Sequence, residues 1–436
     1  MIGQYAESLR VADPIQASAK PHLGLAVFAL YTLLGFVILG PFTTVGAASM
    51  EGVTLGSVSE SGSGSLMRQL GYIGVFFITL TAARVLQHPG RLLALPLSLT
   101  LALGWCWLSL LWAVNSGVSM RRVLLTTILI WSIFMLVQQI GFKKTIYAVQ
   151  IALLLTLAAN YAAVFASPSL GIHQTAQIGD PDLVGSWRGI MVQKNHAGAL
   201  CAITILLYYF APDKMNSAVR WGVLALAAYF LYRSGSKTSL RLTVPSLALG
   251  WLYTFYSPRY WYVAVAGLTG ITVALTSSIV AYWDNLVATF SRPDALTGRG
   301  QIWPVLIAYW SDNWLLGSGY GSFWNIGPES PIYQYGTGWV VRLGQGHNGY
   351  LDMLVQIGLP GLVLAVCALF ISPLLRLLTS YTIIRRDGAL LIALLLFAAG
   401  HNMTESTLLD RDTIVQVFLA LTAALIGVAQ PPSRGS

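Results

Sequence analysis

Long apolar runs separated by short breaks of Gly, Pro, Asn and charge dominate this chain. The runs reach the roughly 17 to 25 residues that a helix needs to cross a bilayer, and their period is that of helices rather than strands. About twelve spans follow, at 24–45, 70–87, 92–114, 123–140, 145–166, 195–211, 220–233, 242–257, 260–281, 350–375, 388–403 and 413–429. The expected fold class is an all-α polytopic membrane protein. The short segments between 220 and 260 could instead tilt or re-enter. The organisation that results is 1–281 for the first nine spans, 282–349 for one large outer loop, 350–429 for the last three spans and 430–436 for a tail.

Composition agrees with this pattern. Hydrophobic residues make up 56% of the chain and charged residues 9%, which excludes a soluble core of this size. The first 23 residues are polar and carry no cleavable signal pattern, so the first span is expected to be an uncleaved anchor. Cys106, Cys201 and Cys367 all fall in apolar spans and read as buried thiols. No internal repeat marks a transporter built from duplicated halves.

Charge sets the expected orientation. With the N-terminus cytoplasmic, Arg10, Lys20, Arg84, Arg91, Lys143, Lys144, Lys214, Arg220, Arg259, Arg376, Arg385, Arg386 and Arg434 face inward, against Glu7, Asp13, Asp213 and Asp387. The inner side then carries a net +9, and the other side keeps twelve cations and twelve acids of the chain's 25 and 16. This is the asymmetry of the positive-inside rule. Both termini are expected in the cytoplasm and the large loop outside, which in a bacterium means the periplasm.

The outer cations are the informative ones, because insertion favours placing cations inside. Eight of them fall in three loops: Arg188 and Lys194; Arg233, Lys237 and Arg241; Arg292, Arg299 and Arg342. Clustered guanidinium forks suit a phosphate or pyrophosphate, which Arg binds bidentately. The plain alternative is snorkelling to lipid headgroups or pairing with nearby acids such as Asp180 and Asp182.

The large loop is rich in aromatics, with eleven between Gln301 and Tyr350, about twice the density of the 11% chain average. Flat rings such as Tyr320, Trp324 and Tyr350 can pack on the apolar faces of sugars while Asn348 bonds hydroxyls. An interfacial aromatic belt, or a small loop core with an amphipathic helix near Trp303 to Trp314, would need the same residues. His347 is the best candidate for proton chemistry, since it stands where a new span begins and can accept a proton near neutral pH. A capping histidine is the alternative. His196 is the other histidine near the proposed site. No pair of histidines has metal-ligand spacing and no carboxylate pair offers a cation site, so the mechanism is expected to be metal-free.

These residues resemble a known family. Arg188-Gly189 with Lys194-Asn195-His196-Ala197-Gly198, then Ser234-Gly235-Ser236-Lys237-Thr238, Thr297-Gly298-Arg299, Gly317-Ser318-Gly319-Tyr320-Gly321, His347-Asn348-Gly349-Tyr350-Leu351 and Gly358-Leu359-Pro360-Gly361 are similar, in that order, to the O-antigen ligase and Wzy-type polymerase superfamily. The likeness runs from about 180 to 370. The wording of the loop motifs is closer to exopolysaccharide polymerases, and the chain lacks the Arg-x10-Gly pattern of some O-antigen polymerases, because Ala199 and Trp310 stand where the glycines would be.

The resemblance implies a GT-C-like, inverting, metal-independent glycosyltransferase of the bacterial inner membrane, with its active site in the periplasm and no cofactor. Its donor would be an undecaprenyl-pyrophosphate-linked glycan, and its acceptor a second lipid-linked glycan or, for a ligase, the lipid A core. A chain-length regulator is a further expected partner, and nucleic acid is not. His347 would match the family's essential histidine. Arg188 and Arg299, with Lys194, Arg233 and Arg241, would hold the pyrophosphate, and Asn195, His196, Lys237, Tyr320, Trp324, Asn348 and Tyr350 would touch glycan. A transporter, the remaining class, should show ionisable residues deep in its spans, whereas most charges here sit at loop ends.

Overall fold

Twelve apolar segments recur as helices in the computed structural model, which describes residues 22–40, 66–175, 183–212, 215–282 and 298–429. The long helices are α1 (Leu23–Leu39), α2 (Leu66–Ala82), α3 (Leu97–Leu108), α4 (Ser116–Ile140), α5 (Phe142–Ala166), α6 (Lys194–Phe210), α7 (Ser217–Ser234), α8 (Lys237–Thr254), α9 (Trp261–Ala281), α10 (Arg299–Asp312), α11 (Gly349–Val366), α12 (Arg385–His401) and α13 (Ile414–Val428). Among the described residues the only pairing of extended backbone is the single bridge between Ile172 and Trp187. The protein is thus all-helical, and by composition a polytopic membrane protein.

Among the described residues, four helical stretches are both long and apolar enough to cross a membrane on those grounds alone: Ser116–Ile140, Phe142–Ala166, Pro258–Ser278 and Gly349–Thr379. Four more, Leu23–Leu39, Leu66–Ala82, Leu97–Leu111 and Ile414–Val428, are apolar but shorter. The segments between 217 and 254, which sequence left open to re-entry, form two continuous helices hinged at Gly235. The start of the large loop, with Arg292 and Thr297, lies outside the described residues, as do Arg10, Lys20, Asp180, Asp182, Lys214 and Arg434.

The central packing pair is α8 against α12. Lipid tails give apolar helices no hydrophobic reason to associate, so close backbone approach through small residues must supply the contact. Gly250 sits against Phe210 and Ala389, Gly388 against Tyr253, and Gly400 against Leu242, each without room for a Cβ. Alternation of helix direction then gathers the loops 183–194, 234–237, 343–349 and 402–413 at one end. Contacts confirm the gathering there, with Thr238 bonded to Thr404 across 2.8 Å and Asn195 to Glu405 across 2.9 Å. The other end carries Arg385 beside Tyr253 and Tyr256 bonded to Leu378.

The large loop is wedged into the bundle rather than spread on its surface. α10 turns Ile302, Leu306 and Tyr309 onto Phe323, Trp324, Ile332, Val340 and Val355, a small core of its own. The following chain threads between the α3–α4 turn and α11, with Ser318 N–H donating to Val355 and Val114 N–H to Ser318. Gly319 passes so close to Ala113 that a Cβ would stand 2.5 Å from its Cα, and its φ is +90°. Such backbone belongs to glycine. Within α11 the helix breaks at Gly358 (φ +66°), where Leu315 crosses, and the Trp105 indole bonds the Ile357 carbonyl at 2.9 Å. The Gly-Leu-Pro-Gly motif is therefore the crossing point of loop and span.

Candidate active site

The turn before α11 builds the centre of the site. Asn348 caps the helix, its side-chain oxygen accepting from Tyr350 and Leu351 N–H at 3.1 Å each, so the cap is Asn348 and not His347. Its own N–H donates to the Ser406 hydroxyl at 3.1 Å, and Gly349 N–H to the Asn402 and Glu405 carbonyls. This backbone docking fixes His347 in a left-handed conformation, φ +52°. A non-glycine residue there costs on the order of 1–3 kcal/mol and persists where surrounding structure overdetermines it.

Held in this way, the His347 Nδ1 stands 3.5 Å from a Glu405 oxygen, an ion-pair separation without hydrogen-bond alignment. The other Glu405 oxygen accepts from Arg299 at 2.8 Å and from Asn195 at 2.9 Å. Four segments therefore converge on one carboxylate: the start of α6, the start of α10, the turn before α11 and the loop after α12. Burial on its own would push the Glu405 carboxyl upward, but His347, His401 and Arg299 outweigh it and hold it below the ordinary carboxylate range. Arg299 commits one Nη to this bond, and its other donors make no bond among the described residues.

Glu405 went unremarked in the sequence, where it is one of three acids in the loop 402–413. Its neighbour Asp412 is similarly placed, taking both Arg68 and the Tyr72 hydroxyl (2.8 Å). Arg68, among the outer cations, is thereby paired with an acid, as the plain alternative for these cations allows.

The other expected residues take several positions. Arg188 is 7% exposed and spends Nε on the Leu170 carbonyl (2.9 Å) and an Nη on Val192 (3.4 Å), bracing the chain that leads into α6. Lys194 is the first residue of α6 and is buried, its N–H donating to His173. His196 lines a second cavity, beside α1, with Arg68 and Asp412. Arg233 is exposed and lies 4.6 Å over the Trp187 ring; Lys237 and Arg241 are exposed on the first turns of α8. Tyr320 and Trp324, expected as open stacking faces, are 2% and 5% exposed and reach a cavity only as part of its wall. The Tyr320 hydroxyl is tied to Thr126 and the Leu409 carbonyl, the Trp324 indole to Asp352 at 2.8 Å, and the Tyr350 hydroxyl to Ala399 at 2.9 Å. These aromatic side chains hold the framework together.

A family model described as O-antigen ligase matches residues 222–366. Both ends of that stretch bear on the site, since it includes Arg299 and His347 but neither Asn195 nor Glu405. The exopolysaccharide production protein ExoQ of Rhizobium meliloti (strain 1021) is 28% identical over 209 residues, covering 44% of this chain. Those residues are 48% of ExoQ, so the chain spans about half the length of the curated relative it matches. Both matches support the O-antigen ligase and Wzy-type superfamily. Within that superfamily's matched segment, the structure puts the His347 turn and the start of α10 face to face across Glu405.

Proposed function

We propose that this protein is a periplasm-facing membrane glycosyltransferase that moves a glycan from a polyprenyl pyrophosphate carrier to an acceptor sugar hydroxyl, polymerising lipid-linked repeats of an exopolysaccharide. The observation that carries this reading is His347 held in a strained turn against Glu405, beside Arg299, whose remaining donors make no bond among the described residues.

In this mechanism Glu405 faces Nδ1 and keeps the proton there, which leaves Nε2 as the base. Nε2 takes the acceptor hydroxyl proton as that oxygen attacks the anomeric carbon. The bond from the anomeric carbon to phosphate breaks on the opposite face, so the configuration inverts and polyprenyl pyrophosphate leaves. Arg299 supports the charge growing on the leaving oxygen, with Lys194, Arg233 and Arg241 as further cations at the same end of the bundle. Arg188, braced on backbone carbonyls, contributes its field and its hold on the entry to α6.

A ligase that uses the lipid A core as acceptor is the second reading, favoured by the description of the family model; the name of the relative favours polymerisation. The test supplies the purified protein with one lipid-linked repeat unit, with and without lipid A core. Polymer ladders from the repeat alone are expected. Product formed only when lipid A core is present would establish the ligase, and no product under either condition would overturn glycosyl transfer.

A further inference from the structure

Beside the His347 turn, on the side formed by Gly344, Gln345 and Gly349, lies a cavity of about 180 Å³ walled by α11, the α10–α11 loop and the loop 406–411. Neither His347 nor Glu405 lines it, so it is a separate compartment next to the reacting centre. Its walls carry two arginines and two carboxylates in formal balance: Arg411 is paired with Asp410, while Arg122 is spent on the Gly321, Trp324 and Asn325 carbonyls and Asp352 on Trp324 and Gly346. A wall in formal charge balance offers no net attraction to a phosphate or pyrophosphate, and the cavity is thus unlike the cation-lined surface around Arg299.

The wall also offers unused hydrogen-bonding capacity. Gln356 accepts from Gly321 N–H through its oxygen (2.7 Å), while its amide nitrogen makes no bond among the described residues. Gln345 makes no side-chain bond among the described residues, and Arg411 commits only Nε, to Asp410. Amides, guanidinium and carboxylate together supply donors and acceptors in near balance, which is what a polyhydroxyl ring requires. The volume is below the roughly 300–1,000 Å³ of sites for drug-sized ligands, enough for one sugar unit and no more.

Backbone strain converges on the same place. Of the five described non-glycine residues with positive φ, three line this cavity, Asn325 (+52°), Leu409 (+51°) and Arg411 (+37°), and a fourth is His347. Strain of this kind concentrates at ligand sites, where surrounding structure is used to maintain it.

We infer that this cavity is a subsite for a single neutral sugar residue, seated next to the His347 turn and separate from the pyrophosphate contacts. The inference rests on the reading of the site as a glycosyl-transfer centre, because it makes the cavity a specificity element for one unit of the glycan. Uncharged sugars would be admitted, and uronic acids disfavoured because their carboxylate would lose its hydration in a wall that offers no net positive charge.

The experiment is saturation-transfer NMR on the detergent-solubilised full chain, with methyl glucoside, methyl galactoside and methyl glucuronide as probes and sodium pyrophosphate as competitor. A neutral glycoside should give signal, the glucuronide should not, and pyrophosphate should leave the signal in place. Gln345→Ala, which loses no bond within the protein, should weaken binding about five-fold, as should Arg411→Gln, in line with one lost hydrogen bond each. His347→Ala should bind as well as the parent. Absence of any neutral-glycoside signal, its displacement by pyrophosphate, or its indifference to Gln345→Ala in a chain of unchanged melting temperature overturns the subsite. If the parent transfers glycan yet binds no glycoside, the subsite alone falls; if it binds glycoside yet transfers nothing, the glycosyltransferase reading falls and the subsite remains.

Discussion

His347 and Glu405 face each other at 3.5 Å although 58 residues separate them in the chain. One belongs to the large loop and the other to the turn between the last two long helices, so their meeting is a property of the packed bundle. Each residue gives a distinct experimental signature.

Replacing His347 with alanine should lower transfer by roughly 10²- to 10⁴-fold, the range for a positioned base. Because Asn348 carries the helix cap, and alanine meets the same left-handed backbone that histidine does, the melting temperature should hold to within a small change. Turnover of lipid-linked donor beside a thermal melt checks this, and normal turnover with a lowered melt would make His347 structural.

Glu405→Gln should cut transfer by about 10²-fold through a misoriented imidazole, while Glu405→Ala should also destabilise by about 3 kcal/mol, since it strands Arg299 in a nearly buried position. The folded carboxyl lies below its unfolded value of 4.5, so its stabilisation is complete above that pH and is lost as pH falls through the lower folded value. Melts of parent and Glu405→Gln should therefore diverge at neutral pH and converge in acid. A constant gap across the acid range would mean that the charge plays no part.

The two arginines expected to hold pyrophosphate should separate. Arg299→Lys should be poorly active, because one flat fork must reach both Glu405 and a phosphate oxygen, whereas Arg188→Ala should act first on stability by releasing the Leu170 and Val192 carbonyls. Measured donor affinity and melting temperature distinguish the two, and full activity of Arg299→Lys would sink bidentate phosphate recognition.

Orientation is open to direct test. On the orientation that the charge asymmetry predicts, with the site end in the periplasm, a cysteine at exposed Glu329 should react with an impermeant thiol reagent in intact spheroplasts, and one at exposed Tyr381, at the opposite end, only after permeabilisation. Reversed labelling would place the chemistry in the cytoplasm.

The helices were legible because each apolar run had to satisfy its own backbone in lipid, which leaves a hydropathy trace. The gathering of the Arg188, Arg233 and Arg299 loops at one end followed from the same alternation. His347, Arg299 and Asn195 could be singled out by motif, yet the carboxylate that joins them left no local signal: Glu405 becomes special only through the docking of α12 and α13. The aromatics were ambiguous for a related reason. Composition marks Tyr320 and Trp324 as sugar-facing as readily as it marks them as core, and only the bonds to Leu409 and Asp352 show how they are spent.

The four-way junction at Glu405 also has a consequence in time. The ribosome delivers Asn195, Arg299 and His347 to the membrane before Glu405 is made, so a nascent chain can hold every helix up to α11 and still have no organised base. The carboxylate that would align the imidazole comes with the hairpin of α12 and α13. On the proposed reading, chains cut short before α12 should insert in the membrane without consuming its supply of lipid-linked sugar.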